Sequence, residues 1–335
     1  MPERVTPEFA SVTALNGGQP GVRTAAIESV AMAVPDTVVT NDQVAERAGV
    51  TDDWIVARTG VRERRHAAPG ERLSSLAAAA GREALERAGV HPAGVDLVLV
   101  ATLAADELTP NAAPLVAHEL GCEFAGAYDV GAACTGFLSA LHQAAAQVES
   151  GRASRVLVIG AEIISRLLDP GDRGTAALFA DGAGAALVGP AGEEGGRIGP
   201  ITLGADGSGA EFITAGQEER LIKMRGHETF REAVRRLSGS TLEVAAMAGL
   251  RLDEIDLFVY HQANARILAA VADKLDLDRD RVIDCIDRYG NTSSATIPIA
   301  LAEAVETGRL NSGDTALLAA FGAGFTWGAG VIEWR

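Results

Sequence analysis

The chain has 335 residues, of which 47% are hydrophobic and 22% charged, ample apolar material for one large domain or two similar ones and too little charge for a disordered chain. Its 29 basic residues against 45 acidic ones leave a net charge of −16, which excludes a global positive field for nucleic-acid phosphates. The cysteines, Cys122, Cys134 and Cys285, are sparse and unclustered, which argues against a disulfide framework and a zinc site, and no run of ~18 apolar residues offers a membrane span.

Residues 1–20 carry no apolar h-region and read as a mobile tail rather than a secretory signal. A soluble protein of the cytoplasm, a reducing compartment, is expected. TAAIESVAMAVP (24–35) alternates enough for a first strand, and LSSLAAAAGREALERAGV (73–90) predicts a helix ending near Gly89. VDLVLVATLA (95–104) is continuously apolar, as a buried strand is. A helix is expected after Pro110, a strand over 124–133, a helix over 135–151 and a strand over 155–162. Strand–helix–strand alternation of this kind indicates an α/β fold with largely parallel sheets.

The chain also resembles itself. Residues 84–104 match 244–263, with Asp96 and Asp256 separated by 160 positions, and 147–162 match 304–324, with Gly151-Arg152 facing Gly308-Arg309. Two matches at nearly equal spacing predict a duplicated α/β unit. The expected halves are 21–195 and 196–335, joined near the Gly-rich stretch 189–200. Strand ends of two such halves converge, and sites form where they do.

Cys134, in GAACTGF, lies just past a first-half strand and opens a helix. A helix N-terminus favours the thiolate, the reactive form of cysteine. A buried structural thiol is the plainer alternative, and it is the one assigned to Cys122 and Cys285. His261, in DLFVYHQANARIL, ends a second-half strand, where it could handle protons, support a developing anion or simply bond to backbone. Asn291, in RYGNTSSATIPIAL, reads either as a helix cap or as an amide donor to an oxyanion. In AAFGAGFTWGAG (319–330) the glycines permit close backbone approach, but no helix follows to make a dinucleotide site. KMRGHETFREAVRRL (223–237), followed by Arg266 and Lys274, is basic against the acidic background. It suits either solvent or an anionic partner.

Taken in order, DDWIVARTGVRERRH (52–66), AACTGF (132–137), DRGTAALFADGAGAALV (172–188), HQANARI (261–267), GNTSSATIP (290–298) and FGAGFTWG (321–328) resemble the β-ketoacyl-acyl carrier protein synthase III family of the thiolase superfamily. The likeness spans residues ~22–335. It implies a five-layered α/β/α/β/α fold and a homodimer, with Cys134 as nucleophile and acyl carrier, and His261 and Asn291 as its partners. It places the oxyanion hole at the N–H groups of Cys134 and Gly324. Trp54 and Arg173 match positions flanking the coenzyme A adenine; Arg58 and Arg266 match positions near the coenzyme A entrance. Arg231, Arg266 and Lys274 match the surface where carrier protein docks. Thr109 matches a residue that reaches into the partner's acyl tunnel, where acetyl-preferring members can have Phe. His227 departs from the Asn of a related enzyme type. The implied substrates are acyl-CoA and malonyl-acyl carrier protein, with no metal or redox cofactor. Initiation of fatty acid synthesis is the expected role. The same set would also serve a starter-unit synthase or acyltransferase of a secondary pathway; a non-catalytic subunit should have lost the nucleophile.

Overall fold

A computed structural model of the protein describes residues 23–192 and 196–335; the expected tail, 1–20, lies outside them. The elements run β1 (Ala25–Ala33), β2 (Val38–Thr40), α1 (Asn41–Ala48), α2 (Asp52–Thr59), β3 (Glu63–Arg65), α3 (Leu73–Ala88), β4 (Leu97–Ala101), α4 (Ala112–Leu120), β5 (Gly126–Val130), α5 (Gly136–Glu149), β6 (Val156–Ile163) and β7 (Asp181–Pro190). They continue with β8 (Arg197–Ala205), β9 (Ile213–Ala215), β10 (Ile222–Met224), α6 (Gly226–Ala248), β11 (Leu257–Tyr260), α7 (Ala265–Leu275), α8 (Ile286–Tyr289), α9 (Thr296–Glu306), β12 (Thr315–Gly322) and β13 (Thr326–Glu333). No helix among the described residues is long and apolar enough to cross a membrane.

Two sheets dominate, ordered β1-β7-β6-β4-β5 and β8-β13-β12-β11. Successive side chains of a strand point to opposite faces, so each sheet feeds two cores. Val98 and Val100 of β4 pack outward against α3 and α4, while Leu99 and Ala101 face inward against α5 and α9. In the second sheet, Leu257 and Val259 of β11 face the same inner helices, and Phe258 and Tyr260 face α6 and α7. The order of layers is therefore α3/α4, sheet, α5/α9, sheet, α6/α7. This is the expected five-layered fold.

The internal repeat is visible in three dimensions. α3–β4 corresponds to α6–β11, and α5–β6 to α9–β12. The first sheet ends at Pro190 and the second begins at Arg197. The fifth strand has no full counterpart: beside β11 only a bridge from Phe258 to Val282 remains.

One expectation needs correcting. The sheets are mixed, not largely parallel: β4 pairs parallel with β5 and β6, and β11 with β12. The pairs β1–β7, β6–β7, β12–β13 and β13–β8 are antiparallel. Crossover helices impose parallel pairing only where they occur. No α-helix separates β6 from β7 or β12 from β13, so those strands return antiparallel.

Candidate active site

Two short 3₁₀ turns, Ala133–Thr135 ahead of α5 and Ser293–Ala295 ahead of α9, meet where the halves join. Each is entered through a left-handed residue, Ala133 at φ 47° and Ser293 at φ 52°, again 160 positions apart. Such backbone in a residue with a Cβ is costly and must be held by its surroundings. A glycine of the opposite sheet makes room for each turn. A Cβ at Gly322 of β12 would lie 2.9 Å from Cys134 Cβ and N, and one at Gly160 of β6 would lie 2.4 Å from the Ser294 carbonyl oxygen.

A cavity of about 630 Å³ opens beside these turns, and Cys134, His261 and Asn291 all line it. His261 and Asn291 are buried and Cys134 is half-buried. His261 continues from β11, and its Nδ1 lies 2.6 Å from the Thr296 hydroxyl. Asn291 does not cap α9, which has no side-chain cap. Its Oδ1 accepts from Ser293 N–H at 2.9 Å and its Nδ2 leans toward the Ala263 carbonyl at 3.4 Å. Its amide is thereby oriented, with nitrogen as the available donor.

At the outer end, Trp54 lies between two guanidinium groups, Arg58 at 5.8 Å and Arg173 at 5.6 Å from the ring centre, within cation–π range. Asn264 caps α7 through Arg266 N–H and also donates to the Arg58 carbonyl, tying α7 to α2. Arg266 lies over Phe230, 5.8 Å from its centre. Arg231, Arg266 and His227 line the same mouth. The result is an apolar passage with a cationic, aromatic-backed entrance and a Cys-His-Asn cluster inside. Lys274 and Thr109 are exposed and stand outside this lining.

The family model described as "3-Oxoacyl-[acyl-carrier-protein (ACP)] synthase III" matches residues 128–207, and its C-terminal counterpart matches 245–334. The chain is 44% identical to a beta-ketoacyl-[acyl-carrier-protein] synthase III of Roseiflexus sp., over 92% of this chain and 98% of that one. A beta-ketoacyl-[acyl-carrier-protein] synthase III 2 of Streptomyces coelicolor is 43% identical over 96% and 97%. The chain belongs to the synthase III family. It is therefore a condensing enzyme of acyltransferase type. Among solved structures, the 3-oxoacyl-[acyl-carrier-protein] synthase III of Aquifex aeolicus superposes with a TM-score of 0.90 at 40% identity, over 92% of this chain and all of that one. The priming beta-ketosynthase of a polyketide pathway superposes with a TM-score of 0.90 at 37% identity, over 96% and 99%.

Within this synthase III site the electrostatics revise two expectations. Burial, helped by the nearby Glu162, pushes the Cys134 thiol up to about 11, against the lowering effect of the Ser293 hydroxyl, 3.5 Å from Sγ, and of nearby N–H groups. Cys134 also sits in the turn before α5 rather than in its first turn. The resting form is thus the thiol, because desolvation outweighs the helix N-terminus. The N–H groups that bear on the sulfur belong to Cys134 itself and to Ala323, one residue before the expected Gly324. Gly324 instead supplies a backbone at φ 136°, a conformation that L-residues with a Cβ rarely adopt.

Burial also pushes His261 down to about 3, so the ring is neutral at any ordinary pH. Three polar neighbours of the cluster escaped the sequence: Ser293, Thr296 and Glu162. The hydroxyls sat in a stretch already explained as capping. Glu162 had a signal, a carboxylate ending a continuously apolar strand. It is fully buried and accepts from Thr102 Oγ1, Leu103 N–H and Ser294 Oγ at 2.9–3.1 Å.

Proposed function

We propose that this enzyme joins an acyl-CoA starter to malonyl-acyl carrier protein by decarboxylative Claisen condensation, initiating fatty acid synthesis. The observation that carries it is the convergence of Cys134, His261 and Asn291 on one cavity with a cationic mouth. The Cys134 sulfur attacks the thioester carbonyl, and the N–H groups of Cys134 and Ala323 stabilise the oxyanion. The C–S bond to coenzyme A breaks, and the departing sulfur takes up the proton that the thiol gives up. Malonyl-carrier protein then enters by the same passage, which gives ping-pong kinetics. Loss of CO2 leaves an enolate whose oxygen accepts hydrogen bonds from His261 and Asn291. Its carbon attacks acyl-Cys134, releasing β-ketoacyl-carrier protein and the free thiolate. The residues present supply every step without a metal or redox cofactor.

Trp54, Arg58 and Arg173 receive the nucleotide of coenzyme A, while Arg231, Arg266 and Lys274 receive the acidic carrier protein. The halves 21–195 and 196–335 supply the nucleophile and its partners respectively. The enzyme works in the cytoplasm as a homodimer. Support comes from β5, an edge strand, and from the exposed apolar residues Leu103, Leu108, Phe124 and Tyr128 around it. Such an edge and patch invite pairing. Thr109 adjoins that surface, where it would reach the partner's acyl pocket.

A second role, priming a polyketide, is favoured by the likeness to a priming ketosynthase and by the small Thr109. Intact-protein mass spectrometry after exposure to mixed acyl-CoAs tests the chemistry and shows which acyl group is retained. The adduct should vanish in Cys134→Ala; persistence there would refute the assignment.

A further inference from the structure

Arg64, on β3, is fully buried, and no step of the condensation above uses it. Burial lowers its guanidinium to about 10, against the raising effect of Asp52, so it stays charged at ordinary pH. A buried cation carries a desolvation cost that an apolar side chain would not, and its hydrogen bonds show what it holds. Nη2 donates to the Ala177 carbonyl at 3.0 Å and to Asn41 Oδ1 at 2.7 Å. Asn41 is itself 2% exposed, and its Nδ2 donates to Asp52 Oδ1 at 2.6 Å and to the Val61 carbonyl at 2.8 Å. One orientation of the amide satisfies all of these, because a guanidinium only donates and a carboxylate or carbonyl only accepts.

The ends of this chain of bonds fall on the two walls of the outer site. Asp52 opens α2 and Val61 lies two residues past its last, so Asn41 grips at both ends the helix that carries Trp54 and Arg58. That helix has eight residues, too few to be stable on its own. Ala177 lies four residues past Arg173, the cation on the other side of the Trp54 ring, and shares a small hydrophobic cluster with Ile55 of α2. We infer that Arg64 and Asn41 are positioning residues that hold α2 against the Arg173 segment, so that Trp54 and Arg173 stand ready, at a fixed spacing, for the nucleotide end of coenzyme A. The inference rests on the reading of Trp54 and Arg173 as the nucleotide site. It gives the buried cation a role in binding one end of the substrate and none in the chemistry at Cys134.

The test compares, in the full chain, acylation of Cys134 by an acyl-CoA with acylation by the same acyl group on pantetheine, which lacks the nucleotide. Asn41→Asp keeps the acceptor for Arg64 but turns a carboxylate toward Asp52 and the Val61 carbonyl, releasing α2 without unpairing the buried cation. Acylation by subsaturating acyl-CoA should fall about 10-fold, the scale of one desolvated cation–π contact, while acylation by acyl-pantetheine stays within about twofold. Adding Asp52→Asn restores a donor opposite the new carboxylate and should recover most of the loss. Asp52→Ala, at an exposed position, frees only the first turn of α2; it should show the same selectivity at about 3-fold and serves if Asn41→Asp does not fold. Equal losses with both substrates, full acyl-CoA activity in Asn41→Asp and Asp52→Ala, or no recovery in the double variant would overturn the inference. Trp54→Ala is the control. If it leaves acylation by acyl-CoA untouched, the nucleotide site itself is misread and the inference falls with it; if it alone loses selectively, the site stands and the inference fails.

Discussion

Cys134 and Glu162 are titratable groups in one low-dielectric region, and burial moves both toward their neutral forms. For Cys134, whose thiol is pushed up to about 11, the alkylation rate should keep climbing as pH rises from 7 to 10, since only the thiolate reacts. A plateau below pH 8 would show that the thiolate is preformed. Ser293→Ala should slow alkylation at every pH, because it removes a hydroxyl that favours the anion. For Glu162, burial raises the carboxyl to about 7 from its ordinary 4.5. Between these values the unfolded chain releases a proton that the folded chain keeps. Stability therefore falls as pH rises through that window, by about 3 kcal/mol, and stays lower above it. Glu162→Gln imitates the neutral acid, so its stability relative to the wild type should grow by about that amount between pH 5 and 8. Parallel denaturation curves at the two pH values would contradict this. His261→Ala and Asn291→Ala should still form the acyl adduct but release CO2 from malonyl thioester about 10²–10³-fold more slowly.

At the scale of elements, the site depends on how closely two turns approach the sheet opposite. Gly322→Ala would place a methyl 2.9 Å from the backbone nitrogen of Cys134. The turn before α5 must then shift, and a displacement near 1 Å at a reacting group costs about 100-fold in rate. Acylation kinetics on the folded variant check this, and near-wild-type rates would show the turn to be compliant. The motifs that carry these turns were legible because the local sequence announces them: small residues before Cys134, a strand ending in His261, a glycine before Asn291. Their partners were not. Gly160 and Gly322 are ordinary strand glycines until the opposite turn is known. Asn291 reads equally well as a cap until α9 is seen to begin five residues later.

At the scale of the whole molecule, the proposed homodimer rests on the exposed apolar residues around β5. Leu108→Asp combined with Phe124→Asp should shift the protein toward monomer in light scattering, with loss of activity if Thr109 of one subunit completes the pocket of the other. A monomer of full activity would separate the two ideas. Thr109→Phe should narrow an acyl-CoA panel toward acetyl; a wild type already strict for acetyl would show that Thr109 does not set the pocket.

By itself the sequence determined the layered α/β architecture, its internal repeat, and the motifs from which Cys134 is proposed as nucleophile with His261 and Asn291 as its partners. Those features are written in local periodicity, in matching segments 160 positions apart and in short motifs. Tertiary structure decided strand direction, the desolvation that shifts Cys134, Glu162 and His261, and the Ala323 amide that bears on the Cys134 sulfur. Strand direction follows from which strands a crossover helix joins; the rest depends on what one half of the chain presents to the other. Desolvation and hydrogen-bond pairing across that junction exist only once residues far apart in sequence have been buried together.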